Sequence, residues 1–340
     1  MAQALEEPAP GDDGRGGGAV KDGTMARKTS TGKRLRQALE APLMRLGLAL
    51  VPRLPRRAVL ALARMLGNGA YLFSAHSRRL GLANLDLAFG AAMTPAEKRR
   101  ILRASLRNFS LTMLDLLWFS RNAEARMERW FSAAPSMRDA LAKPMARVGV
   151  TGHFGNWELT RRYWALRSGA MMSVAMPLKN PAVDALLQGA RENEGQQIVE
   201  REGALKKLVR FLKNGGTVGL LLDQNTAPDD GGTFVDFFGK PVAVSPAAGL
   251  LAPMTGAEIL FGYALPRADG TYLGEIPHVV PAAEIAALDR KTAARELTQR
   301  ITGFYEEAIR AHPECWLWSY KRWRHVPPGL PKDGFPYYAK

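Results

Sequence analysis

The chain has 340 residues, 46% of them hydrophobic and 23% charged, a balance that excludes a wholly disordered, collagen-like or coiled-coil protein and suits one large or two average domains. Its 47 Lys and Arg against 32 Asp and Glu give a formal charge of +15, more than solubility requires, so a polyanionic partner is expected. The single cysteine, Cys315, excludes an intramolecular disulfide framework and an all-cysteine metal site and fits a reducing compartment.

Residues 1–32 hold seven glycines and few large apolar side chains, so they read as a disordered leader. No apolar stretch with a small-residue cleavage site follows the charged start, so no signal peptide is expected, and composition points to Met25 as the native start. From 35 to 73 the chain is apolar and basic together, with breaks at Pro52 and Pro55. Arg45, Arg64 and Asn68 interrupt what would otherwise be a spanning stretch. The reading is therefore of helices lying in a membrane interface, with Arg34, Arg36, Arg53, Arg56 and Arg57 meeting anionic headgroups. The same pattern also suits an amphipathic pair packed on the protein's own core.

Thr94-Pro95-Ala96-Glu97 predicts a helix start, with Thr94 as cap, Pro95 at the first helical position and Glu97 closing a capping box. Past Pro144 short apolar runs at 146–151, 171–176, 217–222 and 259–265 predict strands, and 157–166, 181–193 and 204–214 predict helices between them. That alternation argues for an α/β protein: a three-layer α/β/α core with a central mixed, mostly parallel sheet, preceded by N-terminal membrane-associated helices. The expected organisation is leader 1–32, helical region 33–135, α/β core 136–328 and tail 329–340. There is no Gly-x-Gly-x-x-Gly or Walker loop to cradle a nucleotide.

The most informative segment is Val148-Gly149-Val150-Thr151-Gly152-His153-Phe154-Gly155-Asn156-Trp157-Glu158-Leu159, a buried-type strand running through glycines into a helix. His153 stands at the strand's end, and Glu158 rises from the first helical turn. A carboxylate on one ring nitrogen fixes the tautomer and raises the basicity of the other, which can then take a proton from a hydroxyl. Helix-start amides would be available to an oxyanion. On spacing alone the pair is also compatible with a surface or core coincidence.

Residues Gly152 to Leu159 resemble the His-x4-Asp/Glu block of the lysophospholipid-acyltransferase superfamily, most nearly that of the bacterial lipid A biosynthesis lauroyl/myristoyl acyltransferases. Three further segments are similar in the same order: Pro177-Leu178-Lys179-Asn180-Pro181 with Asp184 and Arg191; Leu222-Asp223-Gln224-Asn225 with Phe237-Phe238-Gly239; and Pro313-Glu314 through Trp316-Leu317-Trp318 to Lys321-Arg322-Trp323. The resemblance covers about residues 40–325 and implies acyl transfer from an acyl carrier protein thioester to a hydroxyl of a lipid A precursor, on the cytoplasmic face of the inner membrane. It implies His153 as general base oriented by Glu158. Asn156, Lys179, Asn180, Arg191, Asp223 and Gln224 are the candidates for substrate binding or site organisation. Asp223, at the end of the predicted 217–222 strand, lies where an α/β sheet places functional loops, although it could equally cap the following turn. Alcoholysis of a thioester needs a base and an oxyanion site, so no cofactor and no metal are expected, only acyl-acyl carrier protein or acyl-CoA as co-substrate.

One departure stands out: Met176 occupies the position before the second-block proline where the family often has arginine. Either Lys179 or Arg191 replaces that cation, or the acceptor differs, for example a phosphatidylinositol mannoside-like glycolipid or an ornithine lipid. Arg191 could also form a helix-surface pair with Glu194. No histidine is identified as the partner that a nucleophilic Cys315 would need, so it reads as packed. His76, His278, His312 and His325 share no ligand-like spacing. Near the C-terminus aromatics alternate with cations, so Trp318, Lys321 and Arg322 join Arg56 and Arg57 as expected contacts to anionic membrane lipid. A packed tail or stacked single-stranded nucleic acid would have a similar composition, but no nucleic-acid-binding motif accompanies it.

Overall fold

The computed structural model describes residues 31–168, 171–175, 180, 184–185, 196–200 and 203–340. The leader expected over 1–32 and the helix expected over 181–193 fall almost wholly outside them. The chain enters through α1 (Thr31–Leu50), α2 (Arg56–Phe73), α3 (Ala75–Phe89) and α4 (Pro95–Trp118). The predicted start of α4 is present: the Glu97 amide donates to Thr94 Oγ1 at 3.3 Å and the Thr94 amide donates to the Glu97 carboxylate at 2.7 Å. Two amide donors of the helix entry are thereby satisfied.

Two short helices follow, α5 (Ala123–Trp130) and α6 (Pro135–Ala142), flanking β1 (Phe131–Ala133). The core then alternates β2 (Arg147–Thr151), α7 (Trp157–Ser168), β3 (Met171–Ala175), β4 (Gln196–Glu200), α8 (Ala204–Lys213) and β5 (Thr217–Leu221). A hairpin of β6 (Thr233–Phe237) and β7 (Lys240–Val244) precedes α9 (Ala247–Thr255), β8 (Glu258–Pro266), β9 (Tyr272–Val280), α10 (Ala282–Ala286) and α11 (Ala293–Ala311). Seven strands form one sheet in the order β1-β9-β8-β2-β5-β3-β4, in which only the β8–β9 pair is antiparallel. The mixed, mostly parallel sheet of an α/β protein is thus present.

Alternation along the strands builds the layers. Val148 and Val150 of β2 and Val218 and Leu220 of β5 pack with Leu208 and Leu212 of α8, Leu251 of α9 and Ile301 of α11. Met171 of β3 and Leu260 of β8 belong to a second cluster with Leu159 and Trp164 of α7 and Leu114 of α4. Strands buried on both faces read in sequence as unbroken apolar runs, which is why 146–151 and 217–222 were legible. β2 and β5 are parallel neighbours with Thr151 opposite Leu221. Residues 153 and 223 therefore leave the sheet side by side.

A buried polar hub ties the helical layer to this edge. The Arg56 guanidinium grips both oxygens of Asp115, with Nη2 to Oδ2 at 3.2 Å, and donates to the Gly270 carbonyl from Nε at 3.1 Å. Tyr272 Oη donates to Asp115 Oδ2 at 2.6 Å and Asn156 Nδ2 to the same oxygen at 3.3 Å. Arg56 is buried, with the Trp118 ring 5.0 Å from its Cζ. It is therefore not a membrane contact, contrary to the sequence reading, because its charge is spent inside the protein.

The C-terminal aromatics correct the sequence reading in the same way. Trp318 and Arg322 are buried with Trp316 and Trp323. Trp318 Nε1 donates to the Pro313 carbonyl at 2.6 Å, and the carbonyls of Trp318 and Tyr320 both accept from Asn84 of α3 at 2.7 Å. An amphipathic aromatic serves core packing as readily as a bilayer, and here the segment packs against α3, α4 and the loop after β5. Of the expected lipid contacts whose side chains are described, Arg53, Arg57 and Lys321 are exposed, whereas Arg56, Trp318 and Arg322 are buried.

Candidate active site

The turn from β2 into α7 is forced by its glycines. A Cβ on Gly152 would lie 2.7 Å from the Tyr305 ring and 2.9 Å from Asp223 Cγ, and Gly155 has φ +57° with its α-carbon pressed toward the Ala264 carbonyl. The chain after the sheet is pinned from its other side by the C-terminal segment. The Gly155 amide donates to the Cys315 carbonyl at 2.9 Å and the Leu317 amide to the His153 carbonyl at 3.1 Å.

His153 projects from this turn with its side chain 19% exposed. Its Nδ1–H donates to Asp223 Oδ1 at 2.9 Å, and its backbone amide donates to Asp223 Oδ2 at 2.9 Å. Trp316 Nε1 donates to that same Oδ2 at 3.1 Å, so the buried carboxylate accepts three hydrogen bonds. With the Nδ1 proton committed, Nε2 keeps its lone pair for a substrate proton. The Gln224 amide nitrogen stands 3.4 Å from Nε2, and the Trp157 ring lies 4.8 Å from the imidazole, centroid to centroid.

The carboxylate hydrogen-bonded to the ring is thus Asp223, where the sequence reading had Glu158. Glu158 pairs with Arg161 one turn along α7, at 3.1 Å, because the first helical turn sets residues i and i+3 together. Its charge still reaches the imidazole. Burial disfavours the imidazolium, but Asp223, by charge and hydrogen bond, with Glu158 adding its charge, raises the His153 pKa above its ordinary value. Burial pushes the Asp223 carboxyl up, and the His153 charge and hydrogen bonds, with Arg322 assisting, bring it below the usual range.

The ring lines a cavity of about 190 Å³ shared with Trp157, Trp164, Met171, Ile198 and Leu221. The wall mixes these apolar side chains with Thr151 and Ser173, and Glu158 and Arg161 add charge beside His153. Several turn amides expected for an oxyanion are engaged: that of Asn156 donates to Ala264 at 2.9 Å and that of Leu159 to Asn156 Oδ1 at 3.1 Å. Asn156 is therefore a structural bracket, capping α7 while bound to Asp115. Asn180 donates to Glu40 of α1 at 3.0 Å, and Lys179 and Arg191, with Met176, lie outside the described residues.

Sequence reading missed Tyr305, whose hydroxyl donates to the Thr151 carbonyl behind the dyad; nothing in its helical context marks it. Cys315 is buried, and burial pushes its thiol up, the behaviour of a packed side chain and not of a nucleophile. Among the described residues no group of three His, Cys, Asp or Glu is placed to hold a metal ion.

A family model of the bacterial lipid A biosynthesis acyltransferases matches residues 30–325. The chain belongs to that family. It is also 25% identical over 287 residues to the lipid A biosynthesis lauroyltransferase of Escherichia coli strain K12, covering 83% of this chain and 90% of that protein. This lipid A acyltransferase is accordingly an enzyme of the acyl-transfer class.

Proposed function

We propose that the protein moves a fatty acyl chain from an acyl carrier protein thioester to a hydroxyl of a lipid A precursor, with His153 as general base held by Asp223. The observation that carries this reading is an imidazole with its Nδ1 fixed by a buried carboxylate and its ring opening on a cavity walled in part by Trp157, Trp164, Met171, Ile198 and Leu221. Nε2 takes the proton of the acceptor hydroxyl as its oxygen bonds to the thioester carbonyl carbon. The tetrahedral intermediate then collapses, the C–S bond breaks, and the imidazolium returns the proton to the departing thiolate. The Gln224 amide, beside Nε2, would donate to a substrate oxygen during that step. Glu158 keeps a supporting part by favouring the imidazolium through its charge.

The net charge of +15 suits an acidic carrier protein as donor. Purified enzyme given acyl carrier protein thioester and a lipid A precursor is expected to yield product heavier by one acyl group. Preference for acyl-CoA, or acylation only of a different glycolipid or an ornithine lipid, would overturn the donor or the acceptor respectively.

The reaction belongs at the cytoplasmic face of the inner membrane. Among the described residues no single helix is long and apolar enough to cross a bilayer, although Arg56–Phe73 and Ala75–Ala92, bent by 89°, meet the requirement together. Met65, Leu66, Leu72 and Phe73 form an exposed face of α2, with Phe73 89% exposed and Arg57 and Arg64 also exposed on the same helix. An apolar stripe flanked by cations is the pattern of a helix lying in a headgroup layer. Leu72→Asp with Phe73→Asp is expected to cut co-sedimentation with anionic vesicles at least tenfold while leaving the melting temperature unchanged. Undiminished sedimentation would remove this face from the membrane.

A further inference from the structure

Where α2 meets α4, arginines gather with no carboxylate among them. The side-chain oxygen of Asn68 on α2 accepts from Arg103 Nε at 2.9 Å and from Arg107 Nε at 2.7 Å, both on α4. The two helices touch at this point, since a Cβ on Gly67 would lie 2.5 Å from the Arg107 α-carbon. Arg64, one turn before Asn68, stands on the same face of α2. Arg64 and Arg103 are exposed, and Arg107 is half-buried. Among the described residues none of the three pairs with a carboxylate, and the Nη atoms of Arg103 and Arg107 have no hydrogen-bond acceptor. Burial, together with the charges of Arg103 and Arg64, lowers the Arg107 pKa. Like charges held on one neutral oxygen repel each other. An anion between them would convert that repulsion into charge-assisted hydrogen bonds.

The surroundings select the anion. Forked guanidinium donors match the oxygens of a phosphate, and the apolar neighbours ask for a phosphate that carries hydrocarbon. Leu72, one turn beyond Asn68, is 57% exposed, and Phe73 follows it. The Tyr71 ring, 5.9 Å from the Cζ of both Arg103 and Arg78, bounds the cluster at that end. We propose that Arg64, Arg103 and Arg107, ordered by Asn68, bind the phosphate group of a membrane lipid whose acyl chain lies against Leu72. None of these residues lines the His153 cavity, so the lipid held here is an anchor and its phosphate is not the reacting group. The inference rests on α2 lying in a headgroup layer, but its decisive measurements need no bilayer.

The full chain is to be titrated calorimetrically with dispersed dihexanoyl phosphatidic acid, dihexanoyl phosphatidylcholine, inorganic phosphate and acyl carrier protein, while the arginine Nε–H signals are followed by NMR. Phosphatidic acid is expected to bind and to shift the Arg103 and Arg107 signals, with inorganic phosphate and phosphatidylcholine weaker by about tenfold or more. Arg103→Gln with Arg107→Gln is expected to weaken phosphatidic acid by about tenfold or more, and Arg295→Gln on α11, which removes a charge elsewhere, by less than about twofold. Without lipid the double variant is expected to melt level with the wild type or higher, because the repulsion is gone. Unshifted arginine signals in the wild type, undiminished binding by the double variant, or a markedly less stable double variant would each overturn the proposal. Inorganic phosphate bound as tightly as the lipid would make the ligand a free anion, and acyl carrier protein bound here in place of lipid would make the cluster a protein interface; either result also overturns it. If dispersed lipid binds as stated while the Leu72 and Phe73 variant sediments with vesicles undiminished, the membrane face fails and this site stands; lost sedimentation with no binding of dispersed lipid gives the reverse.

Discussion

Replacing His153 by alanine is expected to lower acyl transfer by about 10³-fold or more while binding of the lipid acceptor is retained, because removal of the base leaves only substrate positioning. Asp223→Asn separates orientation from proton transfer. The amide still fills the space between the imidazole, the His153 amide and the Trp316 indole, but it offers only one accepting oxygen where the carboxylate accepts three hydrogen bonds. A loss of about 10²–10⁴-fold is expected. The pH dependence carries the sign. The active base is neutral His153, so kcat/KM rises with pH through a midpoint above the ordinary histidine value in the wild type. Without the Asp223 charge burial dominates, and the midpoint is expected to fall. A midpoint that stays put in Asp223→Asn would mean that another group orients the ring. Glu158→Gln is the comparison: it removes a charge near His153 without breaking the Nδ1 bond, so it is expected to lower the midpoint less.

The second large effect concerns stability. Arg56→Met leaves Asp115 fully buried with its hydrogen bonds from Tyr272 and Asn156 but without its counter-charge. Breaking a buried pair from one side costs about 3–5 kcal/mol, which should appear as a clear drop in melting temperature. Burial already pushes the Asp115 carboxyl up, against Arg56. In the variant that push is less opposed. A carboxyl raised in the folded state contributes stability at low pH that is lost as pH rises through its folded value, so the deficit of Arg56→Met is expected to shrink on acidification. Equal stability of variant and wild type at neutral pH would show the hub to be dispensable. Because Asn156 joins the hub to the start of α7, catalytic rate should fall with stability in this variant, whereas it should not in the Leu72/Phe73 pair.

What the sequence discloses depends on whether a feature is local. The β2, β3, β5 and β8 strands sit inside the sheet and announce themselves as unbroken apolar runs; β4, Gln196–Glu200, is an edge strand of mixed polarity and left no such trace. The β6–β7 hairpin turns at Phe238 and Gly239, both at positive φ, and that turn was readable only as part of a family resemblance. His153 and Asp223 were each visible at a strand end. Their partnership was not, since it follows from β2 and β5 being neighbours in the sheet, a fact of topology, and the nearer carboxylate in sequence, Glu158, drew the assignment. The misplacing of Arg56, Trp318 and Arg322 has one cause: a cation beside aromatics has the same composition whether it faces headgroups or a protein interior. Only partners such as Asp115 and the Pro313 carbonyl distinguish the two.

The most direct test is the mass of lipid A from the native host lacking this chain and then supplied with wild-type or His153→Ala protein. Lipid A one acyl group lighter in the deletion strain, restored by the wild type and left light by the alanine variant, is the predicted result. Unchanged lipid A on deletion, or full restoration by a protein without the imidazole, would contradict it.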